Sequence, residues 1–244
     1  MVVQDSPVQS EYRSRLLIME EWYRDFAAEG SREQTLLEDY TPHADFLATL
    51  SGRILDVGGG AGLAARFLRP DATYVVLDPL ELWQSPEWAG FSRAFRAGGP
   101  EPEFIKGCGE DIPFADEEFD SVVSFWSLNH VEDPRRCVSE MIRVLKRGGT
   151  GRVVVEDTEP RWSDLLGDAS IRIWARFTGR QRRARIPRPL VDALRMKLTG
   201  KWLIEKDHFP VSENDLLQWM GDKAVIGLRE WLGGYLTFDF ARRR

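Results

Sequence analysis

The stretch that decides the fold is RILDVGGGAGLAARFL, at residues 53–68. Its apolar start, residues 54–57, is typical of a buried strand, and the run of glycines that follows predicts a tight turn. Small and apolar residues then predict a helix that packs close to a sheet and ends near Pro70. Glycines at such a turn let the backbone approach a ligand, and the first N–H groups of the helix point toward that ligand.

The spacing of the glycines separates two classes of cofactor. A dinucleotide-binding turn needs G-x-G-x-x-G/A, and counting from Gly58 and Gly60 places Leu63 at the third position, so that pattern fails. The alternative is an acid followed by G-x-G-x-G, which Asp56, Gly58, Gly60 and Gly62 satisfy. An ordinary strand-turn-helix with several glycines is a third interpretation of this stretch alone, so the neighbouring segments must decide.

Length and composition describe a globular chain. The 244 residues suffice for one well-buried domain, and 43% are hydrophobic and 30% charged. No apolar run approaches the roughly 20 residues that cross a bilayer, and the first residues lack the apolar core of a signal peptide. Two cysteines and three histidines form neither a disulfide framework nor a zinc spacing, so no metal site is predicted and a reduced, cytoplasmic protein is expected.

The charge of the chain is regional. A net charge of −6 argues against a general nucleic-acid binder. Residues 161–197, however, contain ten Arg or Lys and three Asp, a local charge of +7 that leaves −13 for the rest of the chain.

A second strand is predicted in ATYVVLDPL, residues 72–80, which ends at Asp78 and Pro79. Asp78 lies 22 residues after Asp56. An acid at the end of the second strand can accept hydrogen bonds from the hydroxyls of a ribose bound across the strand ends. The alternative is that Asp78 caps the next helix.

The following segments extend the same alternation of strands and helices. Residues 103–106 predict a third strand, and FDSVVSFWSLNHV, residues 119–131, predicts a fourth strand that is covered on both faces. Asp133 and Pro134 predict the start of a helix, and residues 146–149 predict its basic last turn and glycine stop. GRVVVED, residues 151–157, predicts the fifth strand.

From residue 53 to residue 157 the ordered series of motifs resembles the class I S-adenosylmethionine-dependent methyltransferases, in the small-molecule group that includes ubiquinone and menaquinone biosynthesis enzymes. The resemblance implies an α/β fold: a Rossmann-like, seven-stranded mixed sheet of order 3-2-1-4-5-7-6 with helices on both faces. It also implies S-adenosylmethionine as cofactor and S-adenosylhomocysteine as product.

The resemblance assigns roles to the first two motifs. Asp56 would orient the methionine ammonium through water, and Asp78, followed by Pro79, would hold the ribose. The methionine and ribose side would be lined by Gly58, Gly59, Gly60 and Gly62.

The third motif, GCGEDIPF at residues 107–114, departs from the family pattern. Cys108 stands at the usual acidic position, and Gly109 stands at the usual small one. Because cysteine is a poor acceptor for an exocyclic amine, the adenine contact would come from Glu110, from Asp111 or from backbone alone.

Residues at the end of the fourth strand are expected near the reacting methyl group. His130 is the candidate general base, although a lone histidine is more often structural than catalytic. Ser127 and Asn129 could orient a substrate instead. Methyl transfer depends mostly on positioning, so no further catalytic constellation is required.

The two ends of the chain flank this core. Residues 1–50 predict helices, and in the resembled family such helices cover the pocket, whereas plain packing is the alternative. Residues 51–244 form the predicted methyltransferase domain, with a basic helical insert on the substrate side at about 160–200. Residues 201–209 predict the sixth strand, 212–220 a capped helix, 229–234 a short helix and 235–243 the last strand.

The arginine-rich segment 172–188 has three interpretations: a solvated helix face, a grip on an anionic substrate, or a contact with RNA. The function that the sequence supports is methyl transfer to a small-molecule metabolite, with an anionic or aromatic acceptor. The alternatives are a transfer-RNA methyltransferase that uses this segment and a non-catalytic relative that binds a nucleoside.

Overall fold

A computed structural model describes residues 7–29, 32–155, 211–232 and 235–244. The predicted insert at about 160–200, its arginine-rich segment and the strand predicted at 201–209 lie outside the described residues.

The described residues form a seven-stranded sheet of order β3-β2-β1-β4-β5-β7-β6, which confirms the predicted topology. The strands are β1 Arg53–Val57, β2 Thr73–Asp78, β3 Glu103–Lys106, β4 Phe119–Phe125, β5 Leu145–Val155, β6 Ala224–Leu232 and β7 Tyr235–Arg242. The first five strands are parallel, and β7 is antiparallel to both β5 and β6. The carboxyl ends of the parallel strands therefore meet at one edge of the sheet, where ligands bind in open α/β folds.

Helices cover both faces of this sheet. They are α1 Pro7–Ala28, α2 Arg32–Tyr40, α3 Ala44–Thr49, α4 Pro86–Phe95, α5 Pro134–Val144 and α6 Glu213–Met220, with short 3-10 helices at Thr41–His43, Leu63–Phe67, Leu82–Gln84 and Gly221–Lys223. Ile54 packs in the hydrophobic cluster on the side of α1 to α4, and its neighbour Leu55 packs in the cluster on the side of α5 and α6. Alternating side chains point to opposite faces of a strand, so a continuous apolar run fills both layers.

Two predicted termini are confirmed by their caps. Asp133 accepts the N–H of Arg136 at the start of α5, where Pro134 occupies the first turn. Ser212 and Asp215 form a reciprocal capping box at the start of α6.

The prediction of an α-helix directly after the glycine turn is wrong, because the structure has only the short 3-10 helix Leu63–Phe67 there. It starts from Gly62 at φ 71°, and Leu68 is already extended. A proline disfavours the helical conformation in the residue before it, so Pro70 limits how far a helix could extend. The loop at Gly99 also occupies the adjoining space: a Cβ there would lie 1.9 Å from the carbonyl oxygen of Ala65.

Residues 146–149 do not form the last turn of α5, because β5 begins at Leu145. The cation that satisfies the carbonyls at the end of this helix comes instead from β7. Arg242 donates to the carbonyl oxygens of Ile142, Arg143 and Leu145 at 2.7–3.1 Å. A long-range contact thus replaces the local basic cap that the sequence indicates.

The short helix predicted at 229–234 is also wrong, because residues 224–232 form β6. Pairing with β7 places Trp231 opposite Leu236 and Leu232 opposite Tyr235. β6 therefore occupies the place next to β7. Neighbouring strands override local helix propensity at this edge.

Candidate functional site

A cleft lies at the carboxyl edge of β1, β2 and β4, beneath α1. It contains about 570 Å³ of empty space, part of it open to solvent. Seven residues that the sequence predicts for the site line this cleft: Gly58, Asp78, Pro79, Gly109, Glu110, Ser127 and His130.

The glycine turn is held tightly against the end of β4. Gly58 has φ +74°, and a Cβ at this position would lie 2.3 Å from Cβ of Ser127. Ser127 donates from Oγ to the carbonyl oxygen of Val57 at 2.8 Å, and its Oγ lies 2.5 Å from Oγ of Ser124. Only glycine fits this approach, so residues from two different motifs form one wall of the cleft.

Asp78 is a buried carboxylate that fastens the turn and also lines the cleft. Its Oδ2 accepts the N–H of Gly60 and its Oδ1 accepts the N–H of Leu80, both at 2.8 Å. Burial raises the pKa of Asp78 to about 6, against the opposing effect of these two hydrogen bonds. Asp78 does not cap a helix, because the next 3-10 helix begins after Glu81. Each carboxylate oxygen keeps a lone pair for a further donor.

Asp56 lies behind the turn rather than in the lining of the cleft. It is fully buried, and Oδ2 accepts a hydrogen bond from the hydroxyl of Tyr74 at 2.6 Å. Burial raises the pKa of Asp56 to about 7; the Tyr74 hydrogen bond lowers this pKa, and the charge of Asp78 raises it. A Cβ at Gly59 would lie 2.7 Å from this carboxyl group. The structure therefore brings Asp56 against the turn, and its contact with a ligand stays a prediction.

The other predicted residues that do not line the cleft are Gly59, Gly60, Gly62 and Asp111. Gly60 donates its N–H to Asp78 and has φ +54°. Gly62 packs toward β3, where a Cβ would lie 3.0 Å from Cγ of Pro102. Asp111 is exposed to solvent.

Glu110 is the acid of the third motif that lines the cleft. Its Oε1 accepts the N–H groups of Glu132 and Asp133 at 2.6 and 3.1 Å, which fixes the side chain. Its Oε2 is buried and has no hydrogen-bond partner among the described residues. A buried, unpaired carboxylate oxygen is costly, so it marks a place where a ligand can donate.

The neighbouring glycine leaves no room for a side chain. A Cβ at Gly109 would lie 2.5 Å from Sγ of the buried Cys137, which packs under the motif. Cys108, at the usual acidic position, lines the cleft as well.

His130 lines one side of the cleft together with an aromatic wall, which is formed by Phe125 and Trp126. Trp126 follows β4 with a positive φ of 55°, a rare conformation for a bulky residue that often marks a functional site. Its ring contacts those of Tyr40 and Tyr235, with centroids 5.0 and 5.3 Å away. Leu128 and Asn129 are fully buried and do not line the cleft.

Sequence reasoning missed part of the lining. Leu16, Met19 and Tyr23 reach the cleft from α1, and their helical spacing was the available signal. Trp126 had no such signal, because its place in an apolar strand gives no indication of a left-handed backbone.

Two negative findings concern the part of the chain that the structure describes. It contains no cluster of three or more His, Cys, Asp or Glu that could hold a metal ion. None of its helices is long and apolar enough to cross a membrane.

The fold and the cleft define a class of α/β proteins that bind a ligand at the carboxyl edge of a sheet with this strand order. Residues 55–153, about two fifths of the chain, match the family model described as a methyltransferase domain. This match confirms the resemblance noted in the sequence.

Curated relatives match the same central region. A protein of Mycobacterium sp. (strain JLS), described as an uncharacterized methyltransferase, is 40% identical over 105 residues, which cover 41% of this chain and 38% of the relative. A demethylmenaquinone methyltransferase of Clavibacter sepedonicus is 34% identical over 103 residues, which cover 42% of this chain and 40% of the relative. The chain thus spans about two fifths of the length of these relatives.

Solved structures share the fold. The 1,6-didemethyltoxoflavin-N1-methyltransferase of Burkholderia thailandensis, with bound S-adenosylhomocysteine, has a TM-score of 0.60 at 14% identity and covers 100% of this chain and 93% of its own. The magnesium protoporphyrin IX methyltransferase of Synechocystis PCC 6803 has a TM-score of 0.56 at 14% identity, with coverage of 93% and 95%. At these identities the likeness concerns the fold.

Proposed function

We propose that this chain is an S-adenosylmethionine-dependent methyltransferase that acts on a small-molecule acceptor. The observation that carries the proposal is the meeting of the glycine turn, Asp78 and Glu110 around one cleft within the matched domain. These three features supply a close backbone approach, an acceptor for hydroxyl groups and an acceptor for an amine. A nucleoside with an attached amino acid needs all of them.

The residues present fit the cofactor. Gly58 places backbone in the lining of the cleft, where the methionine portion would lie, and Asp78 offers lone pairs to ribose hydroxyls. The unpaired Oε2 of Glu110 offers an acceptor to the exocyclic amine of adenine, in place of the acid that Cys108 replaces. Asp111, the other candidate, faces solvent. When bound, S-adenosylmethionine supplies an activated methyl group.

The protein's own contribution to the reaction is positioning and exclusion of water. Helix α1 covers the cleft with Leu16, Met19 and Tyr23, so residues 1–50 act as a lid in this proposal. His130 lies in the lining of the cleft, where it can take a proton from an acceptor hydroxyl or amine. The aromatic wall beside it suits a planar acceptor, in keeping with the quinone named for one relative.

Isothermal titration calorimetry with S-adenosylhomocysteine tests the proposal directly. We expect one binding site per chain, and we expect 5′-methylthioadenosine, which lacks the amino acid, to bind more weakly. A second measurement is transfer of a radioactive methyl group to a panel of phenols and hydroquinones. Absence of any heat with S-adenosylhomocysteine would contradict the proposal. Binding without transfer to any acceptor would favour the non-catalytic, nucleoside-binding alternative.

A further inference from the structure

A second cavity lies at the opposite end of the sheet, at the amino ends of the parallel strands. It contains about 850 Å³ of empty space, part of it open to solvent. The end of α5, the start of β5, the turn before β6 and the end of β7 surround it. We call it the basic groove, after the six cations that line it: Arg143, Arg147, Lys223, Arg242, Arg243 and Arg244. The groove and the cleft lie at opposite ends of β4, whose seven residues span on the order of 20 Å.

Three of these cations share three carboxylates. Arg143 pairs with Glu140 and Asp116, both at 2.8 Å. Arg147 and Arg242 both contact the same Oε1 of Glu117, at 3.0 Å. Arg242 also donates hydrogen bonds to the carbonyl oxygens at the end of α5.

The other three cations have no carboxylate at salt-bridge distance among the described residues. Lys223 contacts the neutral hydroxyl of Ser139 at 3.4 Å. Arg243 and Arg244 are exposed at the rim. Glu140 is the single acid in the lining of the groove as the structure describes it. Six cations against three carboxylates leave a local side-chain charge of +3, in a chain whose net charge is −6.

The backbone brings these charges together. Gly148 turns with φ +75° directly after Arg147, and a Cβ at this position would lie 3.8 Å from Nε of Arg244. The N–H of Arg243 donates to the carbonyl oxygen of Lys223 at 3.0 Å, which fixes the other wall. Like charges held this close repel one another, and a bound anion relieves that repulsion.

We propose that the basic groove binds the polyphosphate group of a small anionic ligand, independently of the cofactor cleft. Guanidinium forks match phosphate oxygens in pairs, and the ammonium of Lys223 adds a compact point charge on the facing wall. Several cations spread along an open groove favour a diphosphate or triphosphate over a single phosphate. Ile142 is the single apolar residue in the lining of the groove as the structure describes it, so the groove recognises the charged end of the ligand.

Calorimetry of the full chain with pyrophosphate, at constant ionic strength, tests this inference. We expect pyrophosphate to bind more tightly than inorganic phosphate, and we expect Lys223→Gln/Arg243→Gln to weaken it by about tenfold or more, since each charge-assisted hydrogen bond is lost. Arg69→Gln/Lys106→Gln is the matched control, because it removes two exposed cations elsewhere and should leave pyrophosphate binding unchanged. Thermal melting confirms that both variants fold.

S-adenosylhomocysteine binding separates the two sites. Both double variants should bind it as the wild type does, because neither touches the cleft. Heats equal to those of sodium chloride, or an equal loss of pyrophosphate binding in both double variants, would overturn the inference. Loss of pyrophosphate binding on saturation with S-adenosylhomocysteine would also overturn it, since pyrophosphate would then occupy the cofactor cleft.

Discussion

Asp78 and Glu110 are two carboxylates in the lining of the cleft that have different surroundings. Asp78 accepts two backbone N–H groups and uses its remaining lone pairs in the cleft. Glu110 accepts two backbone N–H groups on Oε1, whereas its Oε2 has no hydrogen-bond partner among the described residues. The first carboxylate is therefore suited to two hydroxyl donors, and the second to one amine donor.

This difference predicts that substitutions at the two residues change ligand binding in different ways: one changes the ratio of two affinities, and the other lowers both affinities equally. In Glu110→Gln the amide oxygen should keep the two backbone N–H groups, so the NH₂ group replaces the unpaired Oε2. The site then presents a donor instead of an acceptor. We expect the wild type to prefer S-adenosylhomocysteine over S-inosylhomocysteine, and we expect the variant to reduce or invert that preference, as measured by calorimetry with both ligands.

Asp78→Ala is the contrasting variant. It should weaken both ligands to the same extent, by about 1–3 kcal/mol, because hydroxyl donors would lose their acceptor. An unchanged affinity would refute the ribose assignment. An unchanged ratio of the two affinities in Glu110→Gln would refute the adenine assignment.

At the level of elements, the attachment of α1 decides whether the cleft is covered. Trp88 of α4 is 2% exposed, and its Nε1 donates to the carbonyl oxygen of Tyr23 at 3.2 Å. Its ring also contacts Phe26, with centroids 6.1 Å apart. Trp88 thus joins the helix that lines the cleft to the layer that packs on the sheet.

Trp88→Ala should lower the free energy of unfolding by about 3–5 kcal/mol, the usual cost of removing a large buried aromatic. It should also weaken S-adenosylhomocysteine binding, because α1 would lose its anchor. Urea unfolding and calorimetry measure the two effects. Trp22→Ala is the control: Trp22 is 55% exposed, so we expect a loss below about 1 kcal/mol. Full cofactor affinity in Trp88→Ala would show that α1 does not cover the site.

The elements also show which features a sequence can reveal. The glycine turn, Asp78 and the caps of α5 and α6 were predictable, because each depends on a local rule about φ, hydrogen-bond acceptors or helix ends. The end of α5 was not, because Arg242 reaches the carbonyl oxygen of Leu145 from 97 residues along the chain. The identity of β6 was available but missed: its partner β7 follows directly, with Leu232 opposite Tyr235, and a Gly-Gly pair between two apolar runs is a hairpin signal. Like the end of α5, the position of Asp56 behind the turn was not predictable, because it depends on Tyr74 from the next strand.

For the whole molecule, the two ends of the sheet differ in charge. The carboxyl edge buries two acids with raised pKa values, Asp56 and Asp78. The amino edge holds carboxylates in ion pairs, such as Asp120, which contacts Lys146 at 2.6 Å. Burial raises the pKa of Asp120. Hydrogen bonds from Lys146 and from the N–H of Arg53 together lower this pKa by more than burial raises it, so the pKa lies below its usual value.

These opposite shifts predict opposite pH dependences of stability. The folded pKa of Asp56, about 7, lies above its unfolded value of 3.8. Its contribution is therefore full below the unfolded pKa and is lost as the pH rises toward 7. Asp56→Asn removes this loss, so its stability relative to the wild type should improve by on the order of 2 kcal/mol between pH 5 and pH 8 in urea unfolding.

Asp120→Asn should show the reverse sign. The lowered pKa of Asp120 stabilises the folded state above the unfolded pKa, and this contribution disappears as the pH falls. The variant should therefore be less stable than the wild type at pH 8 and approach it under acidic conditions. A constant stability difference between Asp56→Asn and the wild type from pH 5 to pH 8 would mean that Asp56 is ionised throughout. A buried cation or donor would then have to lie against its Oδ1, which is buried and has no hydrogen-bond partner among the described residues.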